Sequence, residues 1–174
     1  MIKTVCNKAP RLHPTVRVAE NAAVVGDVTA DEGVNIWYGA AVRGDSRSIS
    51  IGRNTNLQDL VTVHTDAAYS VTIGAEVTVG HGAIIHGCTV EDRCLIGMGA
   101  ILLNGCVIGA ESIVAAGALV KQNDRIPPRS MVMGSPAKVV RPLREEEIAA
   151  ISANAAEYLE LAQQLPLCGE GHPQ

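Results

Sequence analysis

Phenylalanine is absent from this chain of 174 residues, and aromatic residues make up only 2% of it. Hydrophobic residues nevertheless account for 47%. Large rings dominate the packing of an ordinary globular core, so this chain must fill its interior with Val, Ile, Leu and Ala. The composition therefore favours a narrow interior of stacked aliphatic side chains.

Positive charge and long apolar runs are also scarce. The net charge is −4 and no run of Lys or Arg occurs, so we expect no nucleic-acid partner. No stretch approaches the ~20 apolar residues of a membrane span, and we expect no membrane partner. Residues 1–8 lack the apolar segment of a secretion signal.

The five cysteines are an odd number without close pairing, which is a poor disulfide framework. Cys88, Cys94 and Cys106 lie where small buried thiols are expected. The absence of a secretion signal and of a disulfide framework together predicts a cytoplasmic protein.

An aliphatic or small residue returns at every sixth position through most of the chain, with three changes of step. Small residues often follow it, as in Ile96-Gly97. A short fixed period of this kind predicts an all-β solenoid, and its hexapeptide form predicts a parallel β-helix. The positions are Val18, Val24, Ala30, Ile36 and Val42, then Ile51, Leu57 and Val63, then Ile73, Val79 and Ile85, then Val90, Ile96, Leu102, Ile108, Val114, Val120, Ile126 and Val132.

The chain divides into four predicted segments. Residues 1–17 form a lead-in, 18–141 the hexapeptide-repeat β-helix, 142–166 a C-terminal helix and 167–174 a flexible tail. Helical spacing of apolar residues from Ile148 onward supports the helix.

Three histidines lie inside the repeat. If three hexapeptides make one triangular turn, Arg43, His64 and His86 share one column on successive coils, about 4.8 Å apart. Asp59 and His81 then form a second column on another face. A single subunit cannot easily bring all three imidazoles to one ion, so we expect a homotrimer with a metal at each interface.

Three neutral imidazoles and an open position are what catalytic zinc requires. The pKa of a zinc-bound water falls to about 7, which makes a hydroxide nucleophile available at neutral pH. Arg43, Asp45, Gln58 and Asp59 are expected to orient ligands and solvent around it. An Arg43–Asp45 pair that only holds subunits together is an equally open interpretation.

Residues 10 to 165 resemble the γ-class carbonic anhydrases and their relatives, which include proteins named as ferripyochelin-binding or carnitine-operon proteins. The Met133–Lys138 segment is shared with hexapeptide acyltransferases and identifies only the superfamily. The segments that carry the resemblance are Val42-Arg43-Gly44-Asp45, Asn56-Leu57-Gln58-Asp59, Val79-Gly80-His81-Gly82, His86-Gly87-Cys88-Thr89 and Ile96-Gly97-Met98-Gly99-Ala100.

The resemblance implies a left-handed β-helix, a homotrimer and interfacial Zn²⁺, with Fe²⁺ or Co²⁺ as alternatives. It implies reversible hydration of CO2 to bicarbonate by metal-bound hydroxide. The residue roles that it implies are metal ligation by His64, His81 and His86, an interface and active-site pair of Arg43 and Asp45, and orientation of the metal-bound water by Gln58 and Asp59.

The chain departs from the founding enzymes of this family at two places. Ser46 replaces a glutamate after the Arg-Gly-Asp segment, and the short stretch 65–72, whose only acid is Asp66, replaces a long acidic loop. Because those acids are associated with proton transfer, we expect slow proton export. Asn154 is the nearest candidate for an asparagine that lies near the active site in those enzymes.

Two other functions remain open at this stage. A hexapeptide acyltransferase would use acyl-CoA and a single histidine as general base. A non-catalytic or differently specific metal-binding β-helix protein would need the histidines but not the missing acids.

Overall fold

The computed structural model describes residues 1–168 of the chain. It contains twenty strands, one α-helix and one 3-10 helix. The strands are β1 Ile2–Lys3, β2 Arg11–Leu12, β3 Arg17–Val18, β4 Ala23–Ala30, β5 Asn35–Ile36, β6 Ala41–Ile51, β7 Asn56–Leu57, β8 Thr62–His64, β9 Val71–Ile73, β10 Thr78–Val79, β11 Ile84–His86, β12 Thr89–Val90, β13 Leu95–Ile96, β14 Ile101–Leu102, β15 Val107–Ile108, β16 Ile113–Val114, β17 Leu119–Val120, β18 Arg125–Ile126, β19 Ser130–Gly134 and β20 Ala137–Pro142; α1 is Glu145–Leu161 and the 3-10 helix is Ala162–Gln164.

The strands form a left-handed parallel β-helix of about seven turns, which confirms the predicted fold class. The first face contains β8, β11, β14 and β17, and the second contains β9, β12, β15 and β18. The third face contains β3, β5, β7, β10, β13, β16 and β19. Strands along each face pair in parallel, and β20 closes the third face by pairing antiparallel with β19.

The long strands β4 and β6 join the first and second faces into one sheet. β6 pairs with β8 through its first residues and with β9 through its last ones. The register between β4 and β6 shifts here: Gly26 pairs with Gly44, but Val28 pairs with Ile49. The three additional residues on β6 account for the longer step between Val42 and Ile51 in the sequence repeat.

The apolar repeat positions fill the interior. Each of those named above, from Val18 to Val132, is at most 8% exposed. Glycine often follows them because adjacent coils approach closely: a Cβ on Gly97 would lie 2.5 Å from the backbone nitrogen of Ala116, and one on Gly80 would lie 2.8 Å from that of Met98. The small residues of the repeat therefore allow the coils to stack.

The helix α1 packs on the outside of the third face. Ile148 and Ile151 contact a cluster of Leu95, Ile113 and Met131. Further along α1, the ring of Tyr158 meets the ring of Trp37 edge to face, with centroids 5.6 Å apart. No helix within residues 1–168 combines the length and the apolar character needed to cross a membrane.

The two ends of the described chain meet. Strands β1 and β2 of the lead-in both pair with β4. Leu167 forms a bridge with Arg17, and the Cys168 N–H donates to the Val16 carbonyl at 2.8 Å. The first two residues of the predicted tail are thus bonded to the solenoid, and residues 169–174 lie outside the described residues.

Glu147 fixes the start of α1. Its two carboxylate oxygens accept hydrogen bonds from Arg141, both 2.8 Å long, and one of them also accepts the Arg144 N–H at 2.9 Å. The hydrogen bonds from the Arg141 side chain, followed by that from the Arg144 backbone, lower the pKa of Glu147 to about 2.

We expect Glu147→Gln to lower the unfolding midpoint of the protein near neutral pH. Because the folded-state pKa is depressed, the stabilisation is present above the ordinary value of 4.5 and is lost as the pH falls towards about 2. Thermal melts followed by circular dichroism over this range should show the wild-type advantage shrinking to nothing. Replacing the exposed Glu20 by Gln is the control, and an equal pH dependence there would contradict the assignment.

Candidate metal centre

The first face places Arg43, His64 and His86 side by side. His64 ends β8 and His86 ends β11, and the strand register pairs Arg43 with His64 and His64 with His86. The predicted column is therefore confirmed.

The two imidazoles of this column face each other through one nitrogen each. His64 Nδ1 and His86 Nε2 are 3.1 Å apart, and the ring planes are inclined by 61°. The other nitrogen of each ring meets an oxygen: His64 Nε2 lies 3.1 Å from Asp45 Oδ1, and His86 Nδ1 contacts Asn104 Oδ1. Because an ionised carboxylate and an amide oxygen only accept hydrogen bonds, each outer nitrogen carries its N–H. In the neutral form of both rings, the inner nitrogens are left with lone pairs directed at each other.

The distance between His64 Nδ1 and His86 Nε2 is suitable for two nitrogens that bind the same cation. Zinc–nitrogen bonds of about 2.0–2.1 Å in a tetrahedral site put two ligand nitrogens about 3.3 Å apart. The observed 3.1 Å separation is close to this value. Imidazole nitrogens are also ligands that zinc, iron and cobalt accept. The donor pair thus fits a divalent transition metal.

Asp45 connects this pair of histidines to Arg43. One carboxylate oxygen accepts from the Arg43 guanidinium, and the other contacts His64 and accepts the Ser46 N–H at 2.9 Å. Desolvation acts to raise the pKa of Asp45, but the hydrogen bonds from Arg43, His64 and Ser46 outweigh it and lower this pKa to about 2. The Arg43 side chain is 50% exposed, and an ion pair exposed to that degree stabilises a fold by only about 0–1 kcal/mol. Within one chain, the pair holds the Asp45 carboxylate in contact with His64.

His81 lies on the third face, one residue past the Gly80 that follows β10. Pairing of Leu57 with Val79 places Asp59 and His81 in the predicted second column. His81 Nδ1 is 2.9 Å from Asp59 Oδ2, and the His81 backbone N–H donates to Gln58 Oε1 at 3.2 Å. The Asp59 carboxylate accepts the Nδ1 proton, so Nε2 of this half-exposed ring holds the free lone pair.

The three histidines do not converge within one chain. Within residues 1–168, no group of three or more His, Cys, Asp or Glu side chains is arranged to hold a metal ion. His64 and His86 meet on the first face, whereas His81 pairs with Asp59 on the third.

A cleft of about 390 Å³ separates α1 from the third face beside His81. Its wall is mostly apolar, and its polar groups include Gln58, His81, Asn154 and Tyr158. Asn154 Oδ1 is buried and has no hydrogen-bond partner among the described residues. The structure therefore places Asn154 in the same cleft as His81.

Asn104 is a site residue that the sequence analysis missed. It lies one coil beyond His86, and its amide contacts both His86 and Asp66. The strand register pairs Ile85 with Leu102, 17 residues later, so counting residues per turn places Leu103 rather than Asn104 opposite His86 and gave no signal for this contact.

Comparison with known proteins places these features in a family. The bacterial transferase hexapeptide family (six repeats) matches residues 87–122. Gamma carbonic anhydrase 2, mitochondrial, of Arabidopsis thaliana is 48% identical over 168 residues, which cover 93% of this chain and 60% of that relative. The chain thus spans less than two thirds of this relative's length.

Two further similarities extend over nearly whole chains. A protein of Methanocaldococcus jannaschii named a probable carbonic anhydrase is 49% identical over 150 residues, which cover 86% of this chain and 94% of that protein. The crystal structure of a hexapeptide transferase family protein from Anaplasma phagocytophilum aligns with a TM-score of 0.89 at 35% identity, covering 92% of this chain and 95% of that one. From the matching motifs, the shared fold and these identities, the chain belongs to the γ-class carbonic anhydrase-like family of hexapeptide-repeat proteins.

Proposed function

We propose that this protein is a γ-carbonic anhydrase-like metalloenzyme that reversibly hydrates CO2 to bicarbonate at the interfaces of a homotrimer. The observation that carries the proposal is shared by His64, His81 and His86. In each ring one nitrogen meets a protein oxygen, from Asp45, Asp59 or Asn104, and the other nitrogen is left to accept a metal.

The trimer follows from the position of His81. His64 and His86 converge on the first face, so the third imidazole has to come from the third face of a neighbouring subunit. A closed threefold ring would bring these two faces together three times. We propose Zn²⁺ as the metal, with Fe²⁺ or Co²⁺ as alternatives that accept the same nitrogen donors.

Zinc in such a site supplies a Lewis acid that lowers the pKa of a coordinated water to about 7. The chain supplies the rest. Asp45 and Asp59 hold the orientation of two ligand rings, and Arg43 fixes Asp45. Gln58 is held by Asn56 and lies at the edge of the cleft beside His81, where its amide can orient solvent.

We also propose that the protein works in the cytoplasm. All five cysteines are free, and Cys88, Cys94 and Cys106 are buried. Unpaired thiols are the usual state of cysteine in a reducing compartment.

A second candidate function is acyl transfer, favoured by one observation. The Asp59–His81 pair has the geometry of an oriented general base, and it borders an apolar cleft of about 390 Å³. Acetyl transfer from acetyl-CoA that persists in His64→Ala/His86→Ala protein without metal would favour this function over CO2 hydration.

Mixing two inactive variants tests the interfacial site. One chain carries His81→Ala and the other His64→Ala/His86→Ala, and neither homotrimer has a complete ligand set. In a mixed trimer, one interface of the three regains His64 and His86 from the first variant and His81 from the second. We expect tight metal binding and CO2 hydration to return only after the two chains are unfolded and reassembled together.

Light scattering and metal analysis of the same samples give the stoichiometry. We expect one tightly bound ion per mixed trimer and none in the homotrimer of either variant. Both homotrimers should fold, because the substitutions leave the aliphatic core unchanged. The interfacial site would be contradicted by full metal occupancy in the homotrimer of either variant. It would also be contradicted by a monomer that holds one equivalent of metal.

Proton export should limit turnover. Ser46 has no carboxylate, and both oxygens of Asp66 are already engaged in hydrogen bonds. The hydrogen bonds from the Ala68 and Tyr69 N–H groups lower the pKa of Asp66, away from the value near 7 that suits a proton carrier. A small buffer such as imidazole should therefore raise the steady-state hydration rate.

Ser46→Glu should reduce this dependence on buffer, because it returns a carboxylate next to Asp45. Ser50→Glu adds the same charge further along β6 and should leave the dependence unchanged. Stopped-flow hydration assays over a range of buffer concentrations provide the measurement. No hydration at any buffer concentration, with the metal site full, would favour a non-catalytic or differently specific metal-binding protein.

A further inference from the structure

The loop between β8 and β9 contains a carboxylate whose oxygens are both engaged. Asp66 Oδ1 accepts the backbone N–H groups of Ala68 at 2.8 Å and of Tyr69 at 2.9 Å. Asp66 Oδ2 accepts a hydrogen bond from the side-chain amide of Asn104. The loop that follows His64 is thereby tied to a residue 38 positions later in the chain.

The hydrogen bond from Asn104 to Asp66 determines which way the amide faces. A carboxylate only accepts, so the Asn104 Nδ2 group must point at Asp66 and its Oδ1 must point away. The structure directs this oxygen at His86 Nδ1. An amide oxygen also only accepts, so His86 must carry its proton on Nδ1 and leave Nε2 as the lone pair that faces His64.

The absence of a side chain at Gly87 leaves room for the Asn104 amide and the loop at Tyr69. Gly87 directly follows His86, and a Cβ there would lie 2.7 Å from Asn104 Oδ1 and 2.8 Å from the Cβ of Tyr69. Any larger residue at position 87 would push the amide or the loop aside. Gly87 also has a φ of +56°, which favours glycine independently.

We propose that Asp66 and Asn104 form a positioning relay that fixes the tautomer of His86. Asp66 orients the Asn104 amide, and Asn104 keeps the His86 proton on Nδ1, so that Nε2 is available as a ligand. The proposal rests on the proposed role of His86 as a metal ligand. It assigns Asp66 to the preparation of this ligand rather than to proton export.

The variant Asp66→Asn tests the relay with almost no change of shape. The new amide can keep accepting the Ala68 and Tyr69 N–H groups, but its NH2 then faces the NH2 of Asn104. The Asn104 amide should turn over, present its own NH2 to His86 Nδ1 and drive the His86 proton to Nε2. In metal-free protein, ¹⁵N shifts of His86 at the alkaline plateau of a titration should switch from the Nδ1–H to the Nε2–H tautomer.

Metal affinity provides the second measurement. Competition with a chelator should show zinc binding weakened roughly 10- to 100-fold in Asp66→Asn, the usual effect of losing a group that orients a ligand. The double variant Asp66→Asn/Asn104→Asp reverses the direction of the hydrogen bond between the two positions. It again presents an acceptor to His86, so the Nδ1–H tautomer and most of the affinity should return.

Two controls separate the relay from a general effect on folding. Asp31→Asn makes the same chemical change at an exposed position and should alter neither the tautomer nor the affinity. Asn104→Ala leaves the Asp66 loop contacts in place and should give a mixture of tautomers, which keeps the test available if Asp66→Asn does not fold.

Retention of the Nδ1–H tautomer in Asp66→Asn, or a loss of affinity that the double variant does not restore, would overturn the relay. Failure of the proposed function would look different. The wild-type protein would then bind no metal tightly, while His86 would still switch its tautomer in the variants.

Discussion

The parallel hydrogen bonding between successive coils is the constraint on which the proposed metal centre depends. Backbone bonds such as that from Gly87 N–H to His64 O, 3.0 Å long, hold neighbouring coils in register. Side chains on consecutive coils are then about 4.8 Å apart, and two histidines at equivalent positions can chelate one ion without a specialised loop. A slip of one residue between β8 and β11 would turn His86 to the opposite face. The bonds that set the fold therefore also set the ligand spacing.

The oxygens around the three imidazoles give the centre its electrostatic character. Asp45 and Asp59 are carboxylates, whereas Asn104 is a neutral amide that is itself held by Asp66. Each acceptor fixes a proton on one ring nitrogen and leaves the other free. The Asp45 carboxylate is paired with Arg43, whereas the Asp59 carboxylate beside His81 brings negative charge that a divalent cation would offset. The pattern explains why acids recur near residues that would bind a cation through nitrogen alone.

The sequence predicted the parts of the structure that depend on position in the repeat. The columns of Arg43, His64 and His86, and of Asp59 and His81, follow from counting residues per turn, because the period fixes which side chains stack. The relay through Asn104 could not be predicted in this way, because it depends on how far the loop at Asp66 folds back. The irregular course of β6 between the first and second faces was equally hidden, since a change of step shows where the repeat slips but not how the chain bends there.

The C-terminal end of the solenoid has a consequence for self-association. A stack of parallel coils ends in strands whose free backbone groups could accept another chain and continue as a fibre. Here β20 runs antiparallel to β19 and occupies the edge of the third face. Pro127 and Pro128 follow β18 on the last coil, and neither has an N–H to offer an incoming strand. An incoming strand would therefore find the edge of the third face at this end of the solenoid already paired.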